Sequence, residues 1–220
     1  MAPNESAPAP STLVSPDTPT PQEPSAQPSA GLRSSAEVDA LMDRYASGDK
    51  TAFPELHRQV APRLRMFLLR LCGVPRVADD LLQDTFLRIH RARGSFVTGA
   101  AVLPWTYAIA RNVYIDHARK QRERFTASVD DLSDDSQPAA PPGTSPDAQY
   151  VAKETLDVVR ITLAKLPVPH REAFILVRFE GLSIAEAAQV LDVSEANVKV
   201  RAFRAYEAFR LALKVAGKNS

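Results

Sequence analysis

The chain has 220 residues, 45% hydrophobic and 24% charged, with 27 Lys and Arg against 26 Asp and Glu for a formal net charge of +1. That length admits one large or two small domains, and the near-zero total excludes any argument from bulk charge about a polyanionic partner. A single cysteine, Cys72, excludes an internal disulfide framework and suits a reducing compartment. No apolar run approaches membrane-spanning length, and the first residues lack the basic-then-apolar order of a secretion signal. A cytoplasmic protein without membrane insertion is therefore expected.

Residues 1–35 hold eight prolines among Ala, Ser, Thr and Gln. Such a tail buries too little apolar surface to offset its ordering entropy and is expected to be disordered. From residue 36 to about 125 the pattern is helical and nearly strand-free. A short helix over 36–46 is broken by Ser47-Gly48-Asp49. A second spans 53–71 with Phe53, Leu56, Val60, Leu64, Phe67, Leu68 and Leu71 at helical spacing, and Pro62 is expected to kink or break it. Pro75 fits the first turn of a third helix running to about Arg93. Its inward residues are Val77, Leu81, Leu82, Thr85, Phe86 and Ile89, and its start is acidic at Asp79, Asp80, Gln83 and Asp84. Acids in a first turn are favoured by the helix dipole whatever else they do. After a loop over 94–103, Pro104 opens a helix over about 105–124, with Trp105, Ile109, Val113 and Ile115 expected inward. His117 beside Asp116 reads as a helix-surface pair.

Residues 126–149 carry four prolines, five aspartates and no basic residue. They read as a flexible acidic linker. A second helical domain, 150–214, follows, with a tail over 215–220. Its helices are expected over 150–166, stopped by Pro167 and Pro169, and over 170–180, ended by Gly181. Then comes GLSIAEAAQVLDVSEANVKVRAFRAYEAFRLAL. Ser183 followed by Glu186 is a capping box, Asp192-Val193-Ser194 is a turn, and Ser194 is an N-cap for a longer helix. In that helix Val198, Ala202, Ala205 and Phe209 form one stripe that faces a core. Lys199, Val200, Phe203 and Arg204 lie opposite, with Arg201 on the flank. A helix-turn-helix with a basic outer face is the geometry that places a second helix in a major groove. A solvated face has little use for Val200 and a phenyl ring at Phe203, whereas bases offer thymine methyls.

Charge distribution agrees. Residues 105–125 carry five Lys/Arg and two acids, and residues 194–214 carry the same numbers, so each stretch is net +3. Two positive patches with an acidic spacer between them is the informative pattern. An enzyme is disfavoured: His57, His90, His117 and His170 show no metal spacing, and neither a nucleophile motif nor a phosphate-binding glycine loop is present. No metal or cofactor is expected. Two non-enzymatic rivals remain: a stand-alone helix-turn-helix regulator of duplex DNA, and a pure protein-interaction module.

Taken together the two halves resemble a bacterial sigma factor of the extracytoplasmic-function type. The resemblance rests on three motifs in the family's order. ADDLLQDTFLRIHR (78–91) is similar to the region-two helix. LPWTYAIARNVYIDHARKQR (103–122) is similar to the segment that reads the minus-ten element. LPVPHREAFILVRFEGLSIAEAAQVLDVSEANVKVRAFRAYEAFR (166–210) is similar to region four. The resemblance implies an all-α fold of two small helical domains, 36–125 and 150–214. It implies minus-thirty-five reading by Lys199, Val200, Phe203 and Arg204, with Arg201 near phosphates. Asn112 would read a base of the melted minus-ten strand, which its carboxamide suits. Arg111, Arg119, Lys120, Arg122 and Arg124 would hold phosphates, and the 94–103 loop would capture a flipped base. Asp80, Gln83 and Asp84 would contact the β′ clamp helices of RNA polymerase core. The β flap, promoter DNA and an anti-sigma factor are the further implied partners. Asp192 and Ala196-Asn197 depart from the commoner glycine and Gly-Thr of the family's turn.

Overall fold

The computed structural model describes residues 35–127 and 158–216. The expected tail and nearly all of the expected linker lie outside those residues, as does the first part of the helix expected over 150–166. Among the described residues every regular element is helical. Helix α1 spans Ser35–Ala46, α2 Phe53–Cys72, α3 Pro75–Ala92 and α4 Val102–Ala127. Residues 158–165 form α5, and α6 spans Val168–Phe174 and runs on into a π-helical turn at Ile175–Phe179. Helices α7 (Ile184–Leu191) and α8 (Glu195–Ala216) complete the chain.

Helix α2 is the spine of the first group. Leu64, Phe67 and Leu68 are fully buried on it, between Met42 and Tyr45 of α1, Ala78 and Ile89 of α3, and Tyr107 and Ala110 of α4. Pro62 lies inside α2, which runs on past it, so of the expected kink or break the break does not occur. A mid-helix proline forfeits one backbone bond at a cost of about 3 kcal/mol. Burial of Val60, Leu64, Phe67, Leu68 and Leu71 along the same helix is more than enough to hold it continuous.

Two further corrections concern α4 and α6. Helix α4 begins at Val102, so Pro104 sits inside its first turn. Its buried residues are Val102, Pro104, Thr106, Tyr107, Ala110 and Val113 among those whose side chains are described; Trp105 and Ile109 are only half-buried and Ile115 is 38% exposed. The stripe is turned from the expected one because a second layer covers Tyr107, as described below. Helix α6 starts at Val168, directly after Pro167 and two residues before the expected position.

The second group is a small core of Phe174, Ile175, Leu176, Leu191, Val198, Ala205 and Phe209. Phe174 and Phe209 stack at 4.6 Å between ring centroids. The described residues of both groups lie within one compact unit. Helix α7 packs on α4, and α6 with its π turn packs on α2.

Candidate nucleic-acid interface

The helix-turn-helix is built as its residues dictate. Ser183 and Glu186 satisfy one another's backbone N–H groups, which starts α7. Asp192 closes α7 in the left-handed region at φ 54°, the sole non-glycine residue with positive φ among those described. A short polar side chain tolerates that conformation where most cannot. The Asn197 N–H donates to Ser194 Oγ at 3.3 Å, so Ser194 caps α8 as its type suggests.

On α8 the inward stripe is Val198, Ala205 and Phe209, with Ala202 half-buried beside them. Lys199, Val200, Phe203 and Arg204 are exposed on the opposite side, Val200 by 52% and Phe203 by 63%, and Arg201 is half-buried on the flank. Phe203 is therefore a surface residue and not part of the core. His170 lies close enough to this face to feel it. Partial burial, and then the Arg204 and Arg201 charges, hold its imidazole below its ordinary range.

The second positive stretch is arranged differently. Asn112, Arg119, Lys120 and Arg122 are exposed on α4. Arg111, next to Asn112, is not: its side chain is only 19% exposed, and its Nε lies 3.1 Å from Oε1 of Glu172, a residue 2% exposed on α6. The N–H is not aimed along that approach, so neither atom gains a hydrogen bond and the contact is one of charge alone. The expected Asp116–His117 pair does not form. Asp116 takes Arg88 of α3 at 2.8 Å, and this hydrogen bond, with the Arg88 charge, holds its carboxyl below the usual range. His117 Nε2 is buried without a hydrogen-bond partner.

The loop before α4 is pinned at three points. Phe96 is buried edge-on against Trp105 at 5.1 Å. Asp43 of α1 accepts from the Gly99 N–H at 3.1 Å, and Asp39 accepts from the Val102 N–H at 2.8 Å. Between these anchors Val97 is left 72% exposed. Sequence reasoning missed the two α1 carboxylates, which lie 56 and 63 residues from their partners and leave no local signal.

On α3, Asp79 is occupied by Arg65 at 2.6 Å, whereas Asp80, Gln83 and Asp84 are exposed. Leu87, 54% exposed, continues their face and borders a shallow apolar hollow with Phe53, His57, Phe86 and His90. Sequence reasoning missed that hollow, although 80, 83, 84 and 87 fall at helical spacing and Leu87 was there to be read.

An acidic helix face, a basic helix beside a pinned loop, and a helix-turn-helix with a bare apolar-basic face therefore stand on one chain. Two family descriptions match it in that order: Sigma-70 region 2 over residues 56–124 and Sigma-70, region 4 over residues 157–209. The chain belongs to the sigma-70 family of RNA polymerase sigma factors. This sigma factor is 34% identical over 171 residues to the RNA polymerase sigma factor CarQ of Myxococcus xanthus, covering 77% of this chain and 93% of that one. It is 35% identical over 174 residues to the ECF RNA polymerase sigma factor SigM of Mycobacterium tuberculosis, covering 79% and 81% respectively. Among solved structures it is similar to the sigma factor RpoE in complex with the anti-sigma factor NepR from Bartonella quintana. The TM-score is 0.64 and the identity 28%, with 74% of this chain and 97% of that one covered. It is also similar to CnrH in complex with the cytosolic domain of CnrY, with a TM-score of 0.60, 27% identity and coverage of 80% and 97%. The sigma factor is of the extracytoplasmic-function type and directs RNA polymerase to promoters. Its family is one of non-enzymatic regulators, and no described helix is long and apolar enough to cross a membrane.

Proposed function

We propose that the sigma factor divides promoter recognition between residues 36–125 and 150–214. The observation that carries this reading is the exposed face of α8, where Val200 and Phe203 stand bare between Lys199 and Arg204. Exposed apolar side chains among cations suit a major groove, which offers phosphates at its rim and thymine methyls on its floor. Helix α8 reads the minus-thirty-five duplex with these four residues, and Arg201 reaches the backbone.

Helix α4 serves the melted minus-ten strand. Asn112 takes a base edge, Arg119, Lys120 and Arg122 hold phosphates, and Arg111 joins them when Glu172 releases it. The loop over 94–103 captures a flipped base at its exposed tip. Asp80, Gln83 and Asp84 dock on the β′ clamp helices of core, with the apolar hollow beside them adding contact area. Acidic side chains on an exposed helix steer association with a basic partner. The second domain meets the β flap, an anti-sigma factor holds the protein in reserve, and the site of action is the cytoplasm.

The test is association with purified core polymerase. Asp80→Lys with Asp84→Lys should abolish co-purification while leaving the melting temperature unchanged, because both positions are exposed. Normal co-purification of that variant sinks the core-docking assignment. Promoter-specific run-off transcripts that need no added sigma factor, or tight strand-opening by the chain without core, would favour a stand-alone regulator instead.

A further inference from the structure

The bare face of α8 is bordered on one side by a second helix. Helix α6 packs along α8, with Phe174 stacked on Phe209 at 4.6 Å. His170 stands one turn before Phe174, so the two side chains share one side of α6, the side turned to α8. Its backbone is settled locally, the N–H donating to the Pro167 carbonyl at 3.0 Å. Its ring is not: His170 is half-buried and makes no side-chain hydrogen bond among the described residues.

The charges that reach this ring are those of Arg204 and Arg201. Charged groups on the other elements around it are engaged elsewhere. On α6, Arg171 donates to the carbonyls of Leu71, Ala164 and Leu166, and Glu172 meets Arg111. On α2, Arg70 donates to Glu180, and on α7 Glu186 is closed in its capping box with Ser183. An imidazole with free nitrogens beside two guanidiniums and without a carboxylate partner is half of an anion site.

The geometry of α8 says where an anion would come from. Each residue advances a helix by about 100°, so Arg204 and Arg201 lie roughly 40° and 100° from Val200 on one side, and Lys199 about 100° away on the other. On the function proposed above, on which this inference rests, α8 lies in a major groove about 12 Å wide, close to its own diameter. Side chains on the two flanks then meet the two phosphate rims. Lys199 serves one rim; Arg201, with α6 behind it, serves the other.

We propose that His170 is a further DNA-contact residue, which joins Arg201 on one phosphate rim of the minus-thirty-five groove by donating a ring N–H, and that it does so as the imidazolium after taking up one proton. In the free chain partial burial, and then the Arg204 and Arg201 charges, disfavour that proton. A phosphate beside the ring reverses the sign of the local field and raises the pKa in the complex. A group with a higher pKa in the bound state contributes fully below its free-chain value, and the contribution is lost as pH rises through the bound value. Binding therefore tightens on acidification.

The experiment uses holoenzyme assembled from the full chain and purified core, with a duplex carrying the minus-thirty-five element alone. Affinity is measured at pH 8 and pH 6 over a range of salt concentrations. Wild type should bind about fivefold tighter at pH 6, within the tenfold that a one-unit pKa difference supplies. His170→Gln should match wild type at pH 8 and gain less than about twofold at pH 6. His170→Arg, a permanent cation, should bind at pH 8 as tightly as wild type at pH 6, with a salt slope steeper by about one. That gain should be equal for all permuted sequences, because a phosphate contact carries no base information. Wild-type affinity that ignores pH, or a His170→Gln protein that keeps the whole pH response, would overturn the inference. So would a His170→Gln protein weakened equally at both pH values, since His170 would then be a packing residue. A wild-type holoenzyme that cannot tell the minus-thirty-five duplex from its permutations would instead overturn the functional reading beneath it.

Discussion

Helices α4 and α8 carry the same net charge of +3 in their basic stretches, yet they offer it on different terms. On α8 Lys199, Arg204 and the two apolar residues between them face outward. On α4 Asn112 faces outward, but its neighbour Arg111 is turned inward against Glu172. Charge density on a helix therefore does not decide availability; the carboxylates that the rest of the chain brings near it do. One helix is presented and the other is partly held back.

The largest test of this contrast compares two phenylalanines on α8. Phe209→Ala removes a ring that is 6% exposed and stacked on Phe174. It should cost about 3–5 kcal/mol of stability in a thermal or denaturant melt. Phe203→Ala removes a ring 63% exposed and should leave the melt within about 0.5 kcal/mol of wild type. Its loss should appear as roughly 1–3 kcal/mol of sequence preference when the minus-thirty-five duplex is permuted. A large fall in melting temperature for Phe203→Ala with base preference intact would erase the distinction between the two faces.

On α4 the effect is narrower. Asn112→Ala should leave holoenzyme assembly unchanged and reduce open-complex formation on the order of tenfold, the scale of one lost base contact. Permanganate footprints identical to wild type would make Asn112 a plain surface residue. The smallest expected effect is that of Asp43→Asn. It exchanges a charged acceptor for a neutral one at Gly99 N–H and should weaken the loop's anchoring by about 1 kcal/mol. Base selectivity at a single minus-ten position should relax without loss of core binding. Uniform weakening at all positions would show that the loop tip selects nothing.

Much of the second group was legible because its signals are local. The capping box, the turn at Asp192, the cap at Ser194 and the orientation of α8 each follow from residues within a few positions of one another. The acidic face of α3 was legible for the same reason. What could not be read depends on long-range contact. Trp105 and Ile109 look like the inward stripe of α4, but Tyr107 is the residue that becomes fully buried, because Glu180 arrives over it from 73 positions away. Asp116 looks paired with His117 and is claimed by Arg88 from a neighbouring helix. Pro62 carries a local penalty that the burial around it outweighs. Arg111 is the clearest case. The family resemblance implies a phosphate ligand there, and nothing near it in the chain announces Glu172.

The π turn at Ile175–Phe179 sets the phase of everything that follows it. The Glu180 N–H donates to the carbonyl of Ile175 at 3.0 Å, five residues back instead of four. That closure accommodates one more residue than an α turn, and each residue of an α-helix advances the direction of its side chain by about 100°. Glu180 thus reaches Arg70 and Tyr107 while Phe174 still faces Phe209. Deleting one residue between 175 and 179 would let the turn relax to ordinary α geometry with its fold intact, but would swing Glu180 and the helix-turn-helix out of register with one another. Length within this short stretch therefore sets the angular relation between Phe174 and Glu180, while Ile175 and Leu176 within it fill the core.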